Sequence, residues 1–145
     1  MIELLIALML KLEPYEPRAQ LMPVAQAIVA ATLDREERAV LVVVSMYETT
    51  FGRRRSTPFG MSCCWRNLRV RDPVHAAKRF LEIWRFARDR TQCGARASVL
   101  RRFGYFHSGR CDLMARNHQT NQIERDEYVR REWRTFRRVL RMMPP

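Results

Sequence analysis

Apolar positions recur along most of the chain at helical rather than alternating spacing. The first ten residues, Met1-Ile2-Glu3-Leu4-Leu5-Ile6-Ala7-Leu8-Met9-Leu10, form an apolar run. No basic residue precedes it, an acid interrupts it at Glu3, and no small-x-small cleavage site follows, so it lacks the marks of a signal peptide. It is also too short to cross a bilayer, and it is expected to pack on the domain as a helix. Pro14 and Pro17 mark residues 12–18 as a linker or turn. A helix is predicted over 19–33, with Leu21, Val24, Ile28 and Leu33 on its inner face and Pro23 in its first turn. Asp34, with Glu37 three residues on, resembles a capping box and starts a second predicted helix over 35–49.

That second helix carries the most apolar stretch of the chain, Ala39-Val40-Leu41-Val42-Val43-Val44-Ser45-Met46-Tyr47-Glu48. A segment apolar on all sides belongs in the middle of a core. Its β-branched valines also suit a strand; the start signal and the length of the run favour helix. Residues 50–71 read as irregular, punctuated by Gly52, Pro58 and Gly60 and made basic by Arg53-Arg54-Arg55. Asp72-Pro73 is an N-cap followed by proline at the first helical position. It predicts a helix to about residue 90, with Ala76, Phe80, Ile83, Trp84 and Ala87 inward. A shorter helix is predicted over 95–103, then a loop between two glycines, Gly104 to Asp112. A last helix is predicted over 124–142, with Tyr128, Trp133, Phe136, Val139 and Leu140 inward and arginines on its other sides. The fold class expected is all-α, a single domain of five or six helices.

Composition adds charge to this picture. The chain has 145 residues, 47% hydrophobic and 29% charged, which excludes a disordered polymer and is long enough for a true core. The net charge is +12, and lysine occurs only at Lys11 and Lys78, so the basic surface is almost wholly arginine. Such a surface attracts polyanions: nucleic acid, an acidic membrane surface or an anionic cell-wall polymer. The four cysteines include an adjacent pair, Cys63-Cys64, and no Cys-x-x-Cys, so no metal site is expected. Cys93 and Cys111 each stand in a loop-like context and are placed to close a disulfide around the helix between them, which implies an oxidising compartment. The alternative is four reduced thiols in the cytosol.

Four features then stand in order. Glu48-Thr49-Thr50-Phe51 ends the apolar helix; Gly60-Met61 follows a short loop; Trp84 lies on the next helix, with Cys93-Gly94 behind it; Tyr105-Phe106-His107-Ser108-Gly109 precedes Arg110-Cys111. This order resembles the lysozyme-like lytic transglycosylases, in particular the soluble-transglycosylase catalytic domain. In that family a helix ends in Glu-Ser-x-Phe, a Gly-Leu-Met-Gln loop follows, and a Tyr-Asn-x-Gly turn closes the site. Here Thr49 replaces the serine, Cys63 stands where an ungapped match places the glutamine, and Phe106-His107 replace Tyr-Asn, with Tyr105 adjacent. The similarity covers roughly residues 35–112.

The resemblance implies a lysozyme-like domain over 19–145, preceded by the apolar segment and linker of 1–18. It implies Glu48 as the only catalytic acid/base, and Thr49, Phe51, Gly60, Met61, Tyr105, Phe106, His107 and Gly109 as contacts to a glycan. No cofactor is expected. The partner implied is the glycan strand of peptidoglycan, with no specific nucleic acid and no membrane span, and the chain is expected to act as a monomer. The compartment implied is periplasmic, secreted or virion-associated. The residues themselves bear on the chemistry. A glycosidase ordinarily sets two carboxylates about the scissile bond. Residues 49–71 contain no acid, and the next after Glu48 is Asp72, a predicted cap. A single acid suffices where the sugar supplies its own nucleophile, which favours transglycosylation over hydrolysis; Asp112 is the first later acid to consider as a partner. Two readings compete: a basic helical nucleic-acid-binding protein, and a lysozyme-like domain that binds glycan without cutting it.

Overall fold

The computed structural model describes residues 1–49, 59, 72–90, 93 and 98–144. Among them are six helices and one two-stranded antiparallel sheet: α1 (Ile2–Leu12), α2 (Arg18–Ala31), α3 (Arg35–Thr49), α4 (Pro73–Arg90), α5 (Val99–Ser108), β1 (Met114–Arg116), β2 (Ile123–Arg125) and α6 (Glu127–Met142). The protein is mostly helical, as the periodicity predicts. It divides into two compact units, one of Met1–Leu81 with Phe136–Pro145 and one of Glu82–Thr135. The calls on residues 50–58 and 60–71, among them Phe51, Gly60, Met61 and Cys63-Cys64, lie outside the described residues.

In the first unit α1 packs on α2 and α2 on α3. The opening apolar run buries Leu5, Ile6, Leu8 and Met9, and Glu3 forms an ion pair with Arg18 at the start of α2. The carbonyl of Pro17 accepts the first bonds of α2, from Gln20 and Leu21. Pro23 therefore falls inside the helix rather than in its first turn. It lies on the exposed side of the helix, where its ring removes the i+4 donor of the Ala19 carbonyl. Leu33 is corrected more sharply. The helix ends at Ala31, Thr32 turns the chain in an extended conformation, and Leu33 beyond it is 87% exposed instead of inward.

The start of α3 explains why its valines are helical. Asp34 Oδ1 accepts the Glu37 N–H at 2.8 Å, and the Arg38 N–H closes the first turn onto the Asp34 carbonyl at 3.0 Å. The box is completed through a third residue. The Asp34 N–H donates to Thr32 Oγ1 at 3.1 Å, and that hydroxyl donates to Glu37 Oε2 at 2.6 Å. Once nucleated, residues 39–45 are buried on every side, and the one hydroxyl among them, on Ser45, donates back to the Val42 carbonyl at 2.8 Å. Within the same unit the Arg35 guanidinium donates to the carbonyls of Leu140 and Met143, at 2.7 and 2.9 Å. It thereby satisfies acceptors that the end of α6 leaves open.

Helix α4 begins as predicted. Both Asp72 carboxylate oxygens cap it, accepting from the N–H groups of Val74 (3.1 Å) and His75 (3.2 Å). In the second unit Trp84 is the anchor, buried against Phe103 at 5.2 Å and Phe106 at 5.5 Å, with the Arg102 guanidinium 4.4 Å from its ring centroid. The predicted loop from Gly104 to Asp112 is corrected. Residues 104–108 are the last turns of α5, which starts at the Ser98 cap and ends at Gly109 in the left-handed conformation, φ 70°. Gly104 does not break the helix; it lets the returning chain approach, since a Cβ there would lie 3.1 Å from the Arg110 carbonyl oxygen. The β1–β2 hairpin, paired Met114 to Arg125 and Arg116 to Ile123, takes the first two residues of the predicted α6, and the third, Asp126, becomes its cap. Along α6 the buried positions are Val129, Glu132, Phe136 and Val139; Phe136 and Val139 are inward as predicted, while Tyr128, Trp133 and Leu140 are half-buried beside them.

Candidate functional site

Glu48 sits in the last turn of α3, three residues beyond the wholly buried stretch 39–45, and Thr49 ends that helix. Its side chain is half-buried and is not an unpartnered carboxylate. Two features fix the helix that carries it: the capped N-terminus and the buried valines. A carboxylate on such an element is positioned more closely than one on a loop. Glu48 belongs to the first unit.

In the second unit the structure brings Tyr105, Phe106, His107 and Gly109 together at the C-terminal end of α5. Gly109 donates its N–H to the Tyr105 carbonyl at 2.8 Å, which closes the helix end. Phe106 is turned onto Trp84. The Cys93–Cys111 disulfide is present, with 5.2 Å between the Cα atoms, and it encloses α5 between its two ends. Ser108 is held locally, its hydroxyl lying 3.0 Å from the Gly104 carbonyl and 3.3 Å from that of Met114.

His107 has a partner that the sequence reading did not supply. Its Nδ1 lies 2.6 Å from Asp126 Oδ2, and its ring stacks on Tyr128 with 4.5 Å between centroids. Asp126 is a buried carboxylate: its side chain is 2% exposed against 36% for His107. Its other oxygen caps α6 by accepting the Val129 N–H at 3.1 Å, and its own N–H donates to the Leu113 carbonyl at 2.9 Å. With Asp126 ionised, Nδ1 of His107 carries a proton toward it. Nε2 is then an acceptor on the neutral ring and a donor on the imidazolium, oriented in either case by the carboxylate. The arrangement can hold or pass a proton, or bind a hydroxyl, at Nε2. One sequence signal pointed here: Asp126-Glu127 ahead of an apolar stripe is a helix start, hidden because the helix was begun three residues too early.

The other acids considered as partners of Glu48 are committed elsewhere. Asp72 spends both oxygens on the start of α4. Asp112 accepts from Arg110 Nε at 3.0 Å and from the terminal guanidinium nitrogen, and it also takes the Met114 N–H at 3.1 Å. Those bonds, Arg110 first, hold its carboxyl below the usual aspartate range and keep it ionised.

Among the described residues no cluster of three or more His, Cys, Asp or Glu side chains forms a metal site, and no helix is long and apolar enough to cross a membrane. Comparison of the chain with protein-family models, with curated proteins and with solved structures finds no match.

Proposed function

We propose that this chain is a peptidoglycan lytic transglycosylase that cleaves the β-1,4 bond between N-acetylmuramic acid and N-acetylglucosamine, with Glu48 as its acid and base. The observation that carries the reading is the placement of Glu48: a half-buried carboxylate on the final turn of a helix whose middle, residues 39–45, is wholly buried. The commitments of Asp72 and Asp112 support the choice of a lyase over a hydrolase, because both acids weighed as a second carboxylate are already engaged.

In this reading the protonated Glu48 carboxyl gives its proton to the glycosidic oxygen as the bond to the muramic C1 breaks. The C6 hydroxyl of the same muramic ring attacks C1, and its proton returns to the Glu48 carboxylate. An anhydro ring forms, the enzyme regains its starting protonation state, and no water is consumed. The disulfide supports the compartment that the reading requires, since such bonds persist in the periplasm and outside the cell. The partner is the glycan strand, met by a monomer in the periplasm, in secretion or on a virion.

Substitution tests the assignment. Glu48→Gln preserves size and hydrogen-bonding capacity while removing the proton donor. The variant is expected to keep its helical circular dichroism and melting temperature and to lose sacculus lysis by about 10²-fold or more, the usual contribution of a positioned acid. Lysis at the wild-type rate by the folded variant refutes the assignment.

A further inference from the structure

The β1–β2 hairpin takes no part in the core, yet its shape is closely fixed. Every residue from His118 to Arg125 is exposed, including all three of β2, whose side chains alternate between the two faces of the ribbon. A two-stranded ribbon so placed is marginal on main-chain pairing alone. Side chains hold this one. Asn117 Oδ1 accepts the N–H groups of Gln119 (2.8 Å) and Thr120 (3.3 Å), and the Asn117 amide nitrogen donates to Glu124 Oε2 at 3.0 Å. The Thr120 hydroxyl donates to Glu124 Oε1 at 3.1 Å. Arg116 donates to the main-chain and side-chain oxygens of Asn121, at 3.0 and 2.9 Å. A loop fixed in this way, with no core to serve, is suited to presenting side chains to something outside the chain.

What it presents is polar. The side chains of His118, Gln119, Gln122 and Arg125 make no hydrogen bond or ion pair among the described residues. The register sorts the charges. Met114 pairs with Arg125 and Arg116 with Ile123, so the two arginines share one face as diagonal neighbours, roughly 7–8 Å apart. Glu124, paired with Ala115, belongs to the other face, where Asn117 and Thr120 engage both its oxygens. Glu127, beyond the hairpin at the start of α6, is exposed. Over residues 82–135, the unit that contains the hairpin, arginines still outnumber acids twelve to seven, so its surroundings favour a polyanion.

We propose that the hairpin enters the major groove of duplex DNA, with Gln119 and Gln122 reading adenine edges and Arg116 and Arg125 on the phosphates. The major groove is about 12 Å wide and admits a two-stranded ribbon. A glutamine amide meets the N6 donor and N7 acceptor of adenine in bidentate fashion, and the guanidinium fork matches phosphate oxygens. Residues 113–127 contain no Phe, Tyr or Trp, so the hairpin lacks the stacking platform on which single strands are held. The deep, narrow major groove of duplex RNA does not admit it. Because the loop is already ordered, binding costs little further conformational freedom. This inference does not rest on the glycosidase reading.

Selection of duplexes from a randomised DNA pool by the full chain, followed by fluorescence anisotropy, tests it. Enrichment of adenine is expected at one or two positions. Replacing those adenines by 7-deazaadenine, which lacks N7, is expected to weaken binding by about 10-fold or more. Q119A/Q122A is expected to bind both duplexes with that same reduced affinity. R116Q/R125Q is expected to weaken binding to all duplexes alike and to lower the slope of log Kobs against log salt by about 1.8. Arg116 also bonds the loop, so R125Q alone is measured as well, with a slope change of about 0.9. Circular dichroism checks folding, and the 7-deazaadenine arm uses the wild-type chain, so it decides even where a variant does not fold. No enrichment, insensitivity to 7-deazaadenine, unchanged affinity in folded Q119A/Q122A, or an unchanged slope in folded R125Q overturns the proposal. So does equal binding to an RNA duplex of the selected sequence.

Discussion

Asp126 joins the end of α5 to the start of α6, and removing it should show how much that junction contributes. Its Oδ1 accepts the Val129 N–H at 3.1 Å and its Oδ2 meets His107 Nδ1 at 2.6 Å, with the side chain only 2% exposed. Loss of an N-cap acceptor costs about 1 kcal/mol. Loss of a hydrogen bond to a charged group costs about 1.5–3 kcal/mol. Asp126→Ala loses both, for about 3 kcal/mol, which in a chain of this size lowers Tm by roughly 10 °C. Asp126→Asn keeps a cap acceptor and gives up only the charge, so it is expected to cost about 2 kcal/mol. His107→Ala strands Oδ2 in a buried site and costs about 2 kcal/mol for the same reason. Because the two side chains share one bond, the double variant His107→Ala/Asp126→Ala should cost less than the sum of its singles, by about 1–2 kcal/mol. Urea denaturation followed by circular dichroism measures all four. Additive single effects, or an Asp126→Asn variant as stable as wild type, would show that the bond carries none of the stability assigned to it.

Three further outcomes follow from the same geometry. Cys93→Ser/Cys111→Ser opens a closed loop of 18 residues; the chain-entropy relation puts the loss at about 3 kcal/mol, readable as an equal loss for wild type in a reductant. Gly109→Ala forces a Cβ into the left-handed conformation at φ 70°, with an expected cost of about 1 kcal/mol in the same denaturation assay. Arg110 holds the Asp112 carboxyl below its ordinary range, so the stabilising effect of that pair is present above the ordinary aspartate pKa of about 3.9 and is lost as pH falls through the lower folded value. NMR titration should show Asp112 returning toward the ordinary value in Arg110→Gln, with glycan cleavage unchanged.

Where the sequence was legible, a local signal and a long-range one agreed. Asp34 and Asp72 both announced helix starts, and the apolar periods behind them ran on to the observed ends of α3 and α4. Two of the misread places have no local signal that would have corrected them. Gly104 reads as a break, yet it stays helical because the chain returns close beside it, a contact that no local pattern records. The three-residue strands of the hairpin have no alternating apolar face to announce them. Side-chain turn chemistry holds them: Asn117 Oδ1 takes the Gln119 N–H at 2.8 Å, and Asn121 sits at φ 58°. With the hairpin unseen, α6 was begun too early, and Asp126 was placed inside a helix instead of at its cap. The partner of His107 was lost with it. Glu48 is singled out by a signal of another kind, an acid at the end of a run that is apolar but for Ser45.

The chemistry assigned to Glu48 has a direct readout in the ends of the cut strands. Purified sacculi digested with the wild-type chain and with Glu48→Gln, at matched folded concentration, can be analysed by mass spectrometry of the released muropeptides. The account predicts anhydro-muramyl ends from the wild type and none above background from the variant. Reducing muramic ends would make the enzyme a hydrolase with a second acid. Anhydro ends released equally by both proteins would remove Glu48 from the reaction.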